Sequence, residues 1–497
     1  MSYLGLDVGT TGCKAVIFDV NGVQRAASYR EYAARSPRSG WAELDSQEVC
    51  ERCFEVIRES ASACVDDRVR GISISSQGEA FTPVGQDGSV AGNAMVSSDA
   101  RAAAIAEKWS EEFGRELLYR KTGHTAHPMF TLFKLIWLRE NQPDVWKSAK
   151  SFYCFEELIH HRLGLDPAIS WCLAGRTMLF NVQEHDWDED ILAAIGLHRS
   201  RLARTLVSGS VVGTIPSQIA RSLGLPDGVV VVTGGHDQCC GALGAGIASP
   251  GRAAYGMGTV DCITPAFASP VFSENLMKSN LATYDFTLGG MYTTVAFNLT
   301  GGNILKWFRD EWSQAEAKEA AETGQDLYGL ITACMPTKPS ELLVLPYFAP
   351  SGTPYFDAHA RGAILGLRLS TRRPEVLRAL LEGVAFEMRL NLEILDSSGI
   401  EVNALVAIGG GARNRAVVQL KADVLGIPIT IASVTEAGCM GAAMLAKAVD
   451  TGEDVRHIAQ RWVRLADVCR PDPVNAEIYG ERFESYKRLY PALRSLM

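Results

Sequence analysis

The chain opens with short apolar runs interrupted by glycine turns. Tyr3-Leu4-Gly5-Leu6-Asp7-Val8 reads as a strand, Gly9-Thr10-Thr11-Gly12 as a turn, and Cys13–Asp19 as a second strand. Asn21-Gly22 then signals a hairpin, because both residues tolerate positive φ, and a third strand is predicted from about Val23 to Tyr29. Beyond this meander the pattern predicts helix over Ser46–Ala63, strand over Val69–Ser75, and helices over Ala100–Phe113 and Thr131–Glu140. Val229–Thr233 is an unbroken β-branched run, which suits a strand covered on both faces. Such alternation implies an α/β fold with ligand groups gathered at the carboxyl ends of the strands.

The opening pattern then recurs. Ala253–Gly256, the turn Met257-Gly258-Thr259 and Val260–Thr264 repeat the strand, Gly-Thr turn and strand of residues 3–19. A duplicated chain of two domains, 1–245 and 246–497, is the simplest account, with the boundary in the small-residue stretch Gly241–Gly251. Tyr255 stands where the first copy has Asp7, so one copy alone carries that acid. A long helix is expected over Ser370–Leu395, capped by Ser370 or Thr371, with Pro374 early and Leu377, Leu380, Leu381, Val384 and Met388 on one apolar face. Strand Leu405–Ile408, the turn Gly409-Gly410-Gly411 and helix Arg415–Leu425 follow, and the residues from Thr451 read as mostly charged helix.

Composition narrows the function classes. At 497 residues one core is too few, so two large domains are the default. The net charge of −9 argues against nucleic acid or an anionic membrane as partner. No apolar run reaches the roughly 18 residues that would suggest a membrane-spanning helix, and the start MSYLGLDVGTTG lacks the basic and apolar regions of a signal peptide. A cytoplasmic protein is therefore expected. The 12 cysteines are scattered, and the one CxxC, Cys50 and Cys53, has neither a second pair nor nearby histidines to complete a zinc set.

Four segments could carry chemistry. In Asp7-Val8-Gly9-Thr10-Thr11-Gly12 the glycines let backbone approach phosphate oxygens, the hydroxyls and amides can donate to them, and an acid at the strand end can hold Mg²⁺. The same segment also reads as a tight hairpin with an incidental Asp. Gly258-Thr259 is the corresponding turn of the second copy. Gly409-Gly410-Gly411-Ala412-Arg413-Asn414 lies between strand and helix, where a nucleotide can rest on exposed backbone. It is neither a Walker loop nor GxGxxG. In Gly234-Gly235-His236-Asp237-Gln238 a carboxylate at a strand end can accept a hydroxyl proton, or Asp237 can simply start the next helix.

Together these residues resemble the FGGY carbohydrate kinases, a branch of the actin-like ATPase superfamily with two duplicated ribonuclease H-like domains and a ligand cleft between them. Two signature stretches carry the resemblance, over roughly residues 1–450. One runs from Met129 to Asn141 and contains Lys134, Trp137 and Leu138 in the K-x-x-W-L pattern. The other is Gly362-Ala363-Ile364-Leu365-Gly366-Leu367 with Glu375-Val376 and Ala379-Leu380-Leu381-Glu382 downstream. Both stretches are mainly scaffold, and Trp137 reads as core.

The resemblance implies ATP and Mg²⁺ as cofactors, a small sugar or polyol as substrate, and homodimerisation as a family expectation. It assigns Asp237 as general base and Asp7 as the acid near metal and phosphates, with both carboxylates as metal candidates. Phosphate contacts fall to Thr10, Thr11, Gly258 and Thr259. The nucleotide pocket is assigned Gly302, Lys306, Gly410, Gly411 and Asn414. On the sugar side, Ser75-Ser76-Gln77-Gly78-Glu79 fills the slot read as QMHG in xylulokinases and NQRE in glycerol kinases. Gln77, Glu79 and His236 are its candidates, and Gly78 replaces the glycerol-binding arginine, which counts against glycerol. Ser97-Ser98-Asp99-Ala100-Arg101 resembles the W-x-D-x-R segment with serine for tryptophan, so Asp99 and Arg101 are expected to reach substrate hydroxyls or to position a loop. A ketopentose such as D-xylulose leads; erythritol, ribulose or gluconate is the alternative, and a non-kinase actin-like ATPase is the rival class.

Overall fold

The computed structural model describes residues 1–64 and 67–497. Two mixed sheets organise it. In the first, the strand order is Val211–Thr214, Val230–His236, Val69–Ser76, Ser2–Val8, Gly12–Asp19 and Gln24–Glu31. The second to fourth of these are parallel, and the outer strands join them antiparallel. The second sheet repeats the scheme. Leu465–Cys469 pairs antiparallel with Ile429–Ala432, which continues parallel to Val402–Ile408 and Gly251–Met257. Asp261–Phe267 and Ala296–Asn298 then add antiparallel on the far side. The same order of strand directions in both sheets is the duplication expected from the repeated Gly-Thr turns.

Alternation explains how the first strand is held. Leu4, Leu6 and Val8 join one core, while Tyr3 joins another with Phe18 and Trp462. Helix Ser46–Ser62 covers the first of these faces through Val49, Cys50, Cys53, Val56 and Ile57, a helical stripe. Asp45 caps it by accepting from the Gln47 and Glu48 amides. Burying each large side chain of that stripe contributes about 1.5–3 kcal/mol. Cys50 and Cys53 are thus packing residues with free thiols.

Three boundaries depart from the sequence expectation for identifiable reasons. The strand expected to stop at Thr233 continues to His236, with a register shift between Val232 and Gly235. A Cβ on Gly234 would lie 1.9 Å from the Ile74 carbonyl oxygen, so the glycines permit close strand passage at an irregularity instead of forming a loop. The long helix spans Arg373–Ser397, later than Ser370 or Thr371 would set it, because the Thr371 hydroxyl accepts the Arg368 amide in the preceding turn. The C-terminal region is not helix alone: Leu465–Cys469 is an edge strand with only Cys469 buried, so it lacks the alternation that would reveal it.

Two helices link the halves. Asp237–Gly244 follows the first sheet's Val230–His236, and Ala437–Thr451 follows the second sheet's Ile429–Ala432. The latter packs onto Ser2–Val8 and Val69–Ser76 of the first sheet and against Asp237–Gly244. Glycine makes that crossing feasible, since a Cβ on Gly244 or Gly441 would fall 1.9 Å from the Ala437 oxygen or 2.0 Å from the Cys240 oxygen. No helix among the described residues is long and apolar enough to cross a membrane.

Candidate functional site

Two cavities open where strand ends meet. The smaller, of 210 Å³, is lined from the first half by Thr10, Gln77, Glu79, Arg176 and Asp237, and from the second by residues including Cys262, Asn280 and Phe297. The larger, of 830 Å³, is lined wholly by the second half. Asp261 lines the larger and its neighbour Cys262 the smaller, so one strand separates the two.

Asp237 begins helix Asp237–Gly244 directly at the strand end. Its side chain is 31% exposed, yet Oδ1 is sealed from solvent and accepts no hydrogen bond. The Nε2 of His236 lies 3.2 Å from that oxygen, off the hydrogen-bonding axis. Burial, reinforced by the charges of Asp7 and Glu79, pushes the Asp237 carboxyl up to about 7. Asp7, at the end of Ser2–Val8, accepts from the Ser75 hydroxyl at 2.6 Å. Burial raises it too, against the pull of Ser75 and Lys14. A carboxyl raised by burial and by the charges of neighbouring carboxylates is a setting a cation would relieve. Among the described residues no cluster of three or more metal-ligating side chains occurs, so a metal here would take most of its ligands from elsewhere.

The first glycine turn is braced from inside. Gly9 N–H donates to Gly12 O, and the Gly9 carbonyl accepts from the Tyr32 hydroxyl and the Gln77 amide, each at 2.7 Å. Thr10 lines the small cavity and its hydroxyl reaches Gln77 Oε1 at 3.4 Å, while Thr11 is exposed. Gln77 therefore touches both the turn and the cavity. Gly78 is tightly packed: a Cβ would lie 3.1 to 3.3 Å from the His236 ring and Arg176.

Glu79 and His236 are held by residues that the motifs do not contain. Arg176 Nε donates to Glu79 Oε1 at 2.6 Å, and its Nη1 meets His124 Nε2 at 3.1 Å. His236 Nδ1 is 3.1 Å from the Tyr284 hydroxyl, which comes from the second half. Burial, with Arg176 nearby, holds His236 well below the usual imidazole range and His124 at about 3, so both rings are neutral. Arg176, His124 and Tyr284 sit in no recognisable spacing, and nothing in the sequence singles them out.

Asp99 and Arg101 are placed away from the cavity. Asp99 is 1% exposed and accepts from the Ala42 amide and from Arg101. Arg101 also donates to Glu43 at 2.7 Å and lies against the Trp41 and Trp137 rings, 3.7 and 4.8 Å from their centroids. Of the two roles expected for this pair, the structure has the one of pinning a loop. Ser97, the serine in the tryptophan slot, does line the cavity. Trp137 is buried, and Lys134 spends its amino group on the Met95 and Val96 carbonyls.

Gly258, Thr259, Gly302, Lys306, Gly410, Gly411 and Asn414 all line the larger cavity. Gly302 N–H donates to the Gly258 carbonyl at 2.9 Å, so helix Gly302–Trp312 starts on the second glycine turn. A Cβ on Gly411 would lie 2.9 Å from Met257 O, whereas one on Gly410 would meet nothing within 4 Å. Asn414 caps helix Arg415–Leu425 and donates to the Thr332 hydroxyl at 2.9 Å. Lys306, at the rim, pairs with Asp310 at 2.7 Å. At the strand boundary Asp261 is paired with Lys421 and accepts from the Tyr255 hydroxyl at 2.8 Å.

Comparison with known proteins agrees with this arrangement. Residues 2–244 match the model of the FGGY family of carbohydrate kinases, N-terminal domain, and residues 253–448 match its C-terminal domain. The chain is 27% identical over 497 residues to a xylulose kinase of Bacillus subtilis (strain 168), covering 99% of this chain and 97% of that one. It is 30% identical over 465 residues to a glycerol kinase of Bordetella parapertussis, covering 89% and 87%. The crystal structure of a xylulose kinase from Rhodospirillum rubrum superposes with a TM-score of 0.90 at 26% identity, covering 100% of this chain and 99% of that one.

Proposed function

The chain belongs to the FGGY family of carbohydrate kinases, and from that premise we propose that it transfers the γ-phosphoryl group of ATP to a hydroxyl of a ketopentose such as D-xylulose. The observation that carries this reading is the Asp237 carboxyl, 31% exposed in a cavity also lined by Thr10 of the first glycine turn and by Gln77, which holds that turn. A substrate hydroxyl in the cavity donates to the open side of that carboxyl.

The sugar occupies the smaller cavity and the nucleotide the larger. Asp237 takes the proton of the attacking hydroxyl as its oxygen bonds to the γ-phosphorus. The bond from phosphorus to the bridging oxygen breaks, and its electron pair leaves with ADP. Thr10, Thr11 and Thr259, with the amides of the two glycine turns, donate to the phosphoryl oxygens as charge redistributes. Asp7 and Asp237 are the residues that would hold Mg²⁺, directly or through water, and their raised carboxyls fit a nearby cation. Bound there, Mg²⁺ would neutralise phosphate charge while keeping most of its ligands as phosphate and water oxygens. Phe130 from the first half and Phe297 and Phe356 from the second wall the small cavity, and closure around them excludes water as a competing acceptor.

Two observations support a ketose over glycerol. The relatives named above include xylulose kinases matched over nearly the whole chain. Gly78 also stands where the resemblance leads one to expect the arginine of glycerol kinases, and a Cβ there would press on the His236 ring and Arg176. Acceptor-dependent ADP release, measured on purified enzyme against ketoses, alditols and aldonates, tests the reading. Asp237→Asn is expected to lower kcat by about 10²–10⁴-fold while nucleotide binding persists. Wild-type turnover in that variant overturns the assignment.

A further inference from the structure

Arg176 is the only cationic side chain lining the small cavity among the described residues. Each of its three nitrogens already meets a protein partner. Nε donates to Glu79 Oε1 at 2.6 Å, and Nη2 makes a second, shorter contact with the same oxygen. Nη1 points to His124 Nε2 at 3.1 Å. His124 Nδ1 lies 2.9 Å from the Thr122 carbonyl, which can only accept, so Nδ1 carries the ring proton and Nε2 is a bare acceptor for Arg176. The rings of Phe130 and Tyr284 lie 5.1 and 5.5 Å from the guanidinium carbon.

Glu79 is held in place as firmly as its partner. It is 4% exposed and adopts a left-handed backbone with φ of 65°, unusual for a residue with a side chain. The Thr131 hydroxyl donates to its carbonyl at 2.8 Å. Both Arg176 contacts use Oε1, so Oε2 keeps its lone pairs. The other anion of the cavity wall is Asp237, and Lys134, though buried close by, is spent on two backbone carbonyls.

We infer that Glu79 is a charge gate: by masking Arg176 it confines the phosphoryl acceptor to uncharged polyhydroxy compounds and rejects aldonates. A neutral ketose or alditol offers hydroxyls to Glu79 and Asp237 and asks for no cation. A sugar acid brings a second negative charge beside Asp237, and the one guanidinium present is already paired; a desolvated charge without a partner is strongly disfavoured. The gate rests on the phosphotransfer reading above and decides between its acceptor classes.

The test uses the purified full-length chain with ATP and compares D-xylulose, an alditol panel, D-gluconate and D-xylonate. Wild-type kcat/KM for the best neutral acceptor is expected to exceed that for either aldonate by on the order of 10³-fold, as befits a site that leaves a charged group unpaired. Glu79→Gln keeps the shape but unmasks Arg176. It should lower kcat/KM for the neutral acceptor and raise that for an aldonate by about tenfold or more. Adding Arg176→Met should abolish the gain. An aldonate turned over by the wild type as well as the ketose overturns the gate, as does a Glu79→Gln enzyme with an unchanged acceptor ratio. Should Glu79→Gln fail to fold, competitive inhibition of the wild type decides: an aldonate Ki near the KM of the neutral acceptor overturns the gate, and absence of inhibition supports it. A wild type that releases no ADP with any acceptor, neutral or acidic, instead counts against the phosphotransfer reading itself.

Discussion

The two halves share a strand order but treat the acids at these strand ends differently. In the first half Asp7 and Asp237 sit at strand ends with their proton affinities raised, and one Asp237 oxygen has no hydrogen-bond partner. In the second half the strand-end acid Asp261 is paired with Lys421 and bonded by the Tyr255 hydroxyl. A cation and a hydroxyl hold the acid of the second half, whereas in the first half no cation is paired with Asp237. Duplication thus supplied two glycine turns, and on the proposed mechanism proton transfer falls to the half whose Asp237 is unpaired by a cation. In the other half Asp261 forms part of the wall of the larger cavity.

Breaking the compensated side should produce the largest stability effect. Lys421→Met strands Asp261 as a buried, unpaired charge and is expected to cost about 3–5 kcal/mol, read by urea denaturation. Asp261→Asn in the same chain should restore most of the loss, which a general packing defect at position 421 would not allow. The uncompensated side should respond to pH instead. Asp237 acts as a base only when deprotonated, so kcat/KM should fall as pH drops through about 7, approaching tenfold per unit below it. Because the folded carboxyl is raised from 3.8 to about 7, the native chain binds more protons than the unfolded one between those values, and Asp237's contribution to stability declines as pH rises across that window. Asp237→Asn should remove both dependences, and a pH–rate profile together with denaturation at several pH values would show it.

The smallest effects probe the glycines. Gly441→Ala drives a Cβ to within 2.0 Å of the Cys240 oxygen at the crossing of the two linking helices. It should cost about 1–3 kcal/mol in a denaturant titration. Gly410→Ala meets nothing within 4 Å and should leave stability within about 0.5 kcal/mol while raising the KM for ATP. Equal effects on stability would erase the distinction drawn between a packing glycine and a ligand-facing one.

Much of the scaffold was legible because it is local. The Gly9–Gly12 turn, the β-branched run before Asp237 and helix Arg415–Leu425, found as Arg415–Leu425, are set by neighbours a few residues apart. The Gly-Thr turns announced the repeat, and the residues predicted around the larger cavity, from Gly258 to Asn414, do line it. Asp99 and Arg101 show where motif reading runs short. Their chemistry suits a sugar hydroxyl as well as it suits each other, and Trp41, Glu43 and the Ala42 amide decide the matter by enclosing them. Edge strand Leu465–Cys469 was hidden for the opposite reason, since a strand with one buried residue leaves no period to read.

By itself, the order of residues determined the duplicated α/β plan, the phosphate turns and the acid that follows a buried strand, because strand period and turn chemistry act over short spans. Only the tertiary structure decided which acids are neutralised and which are left bare. Arg176 meets Glu79 across 97 residues, and Tyr284 meets His236 across 48 and from the other half. Electrostatic compensation depends on distance through space and on exclusion of water, and neither is written in the spacing of a motif.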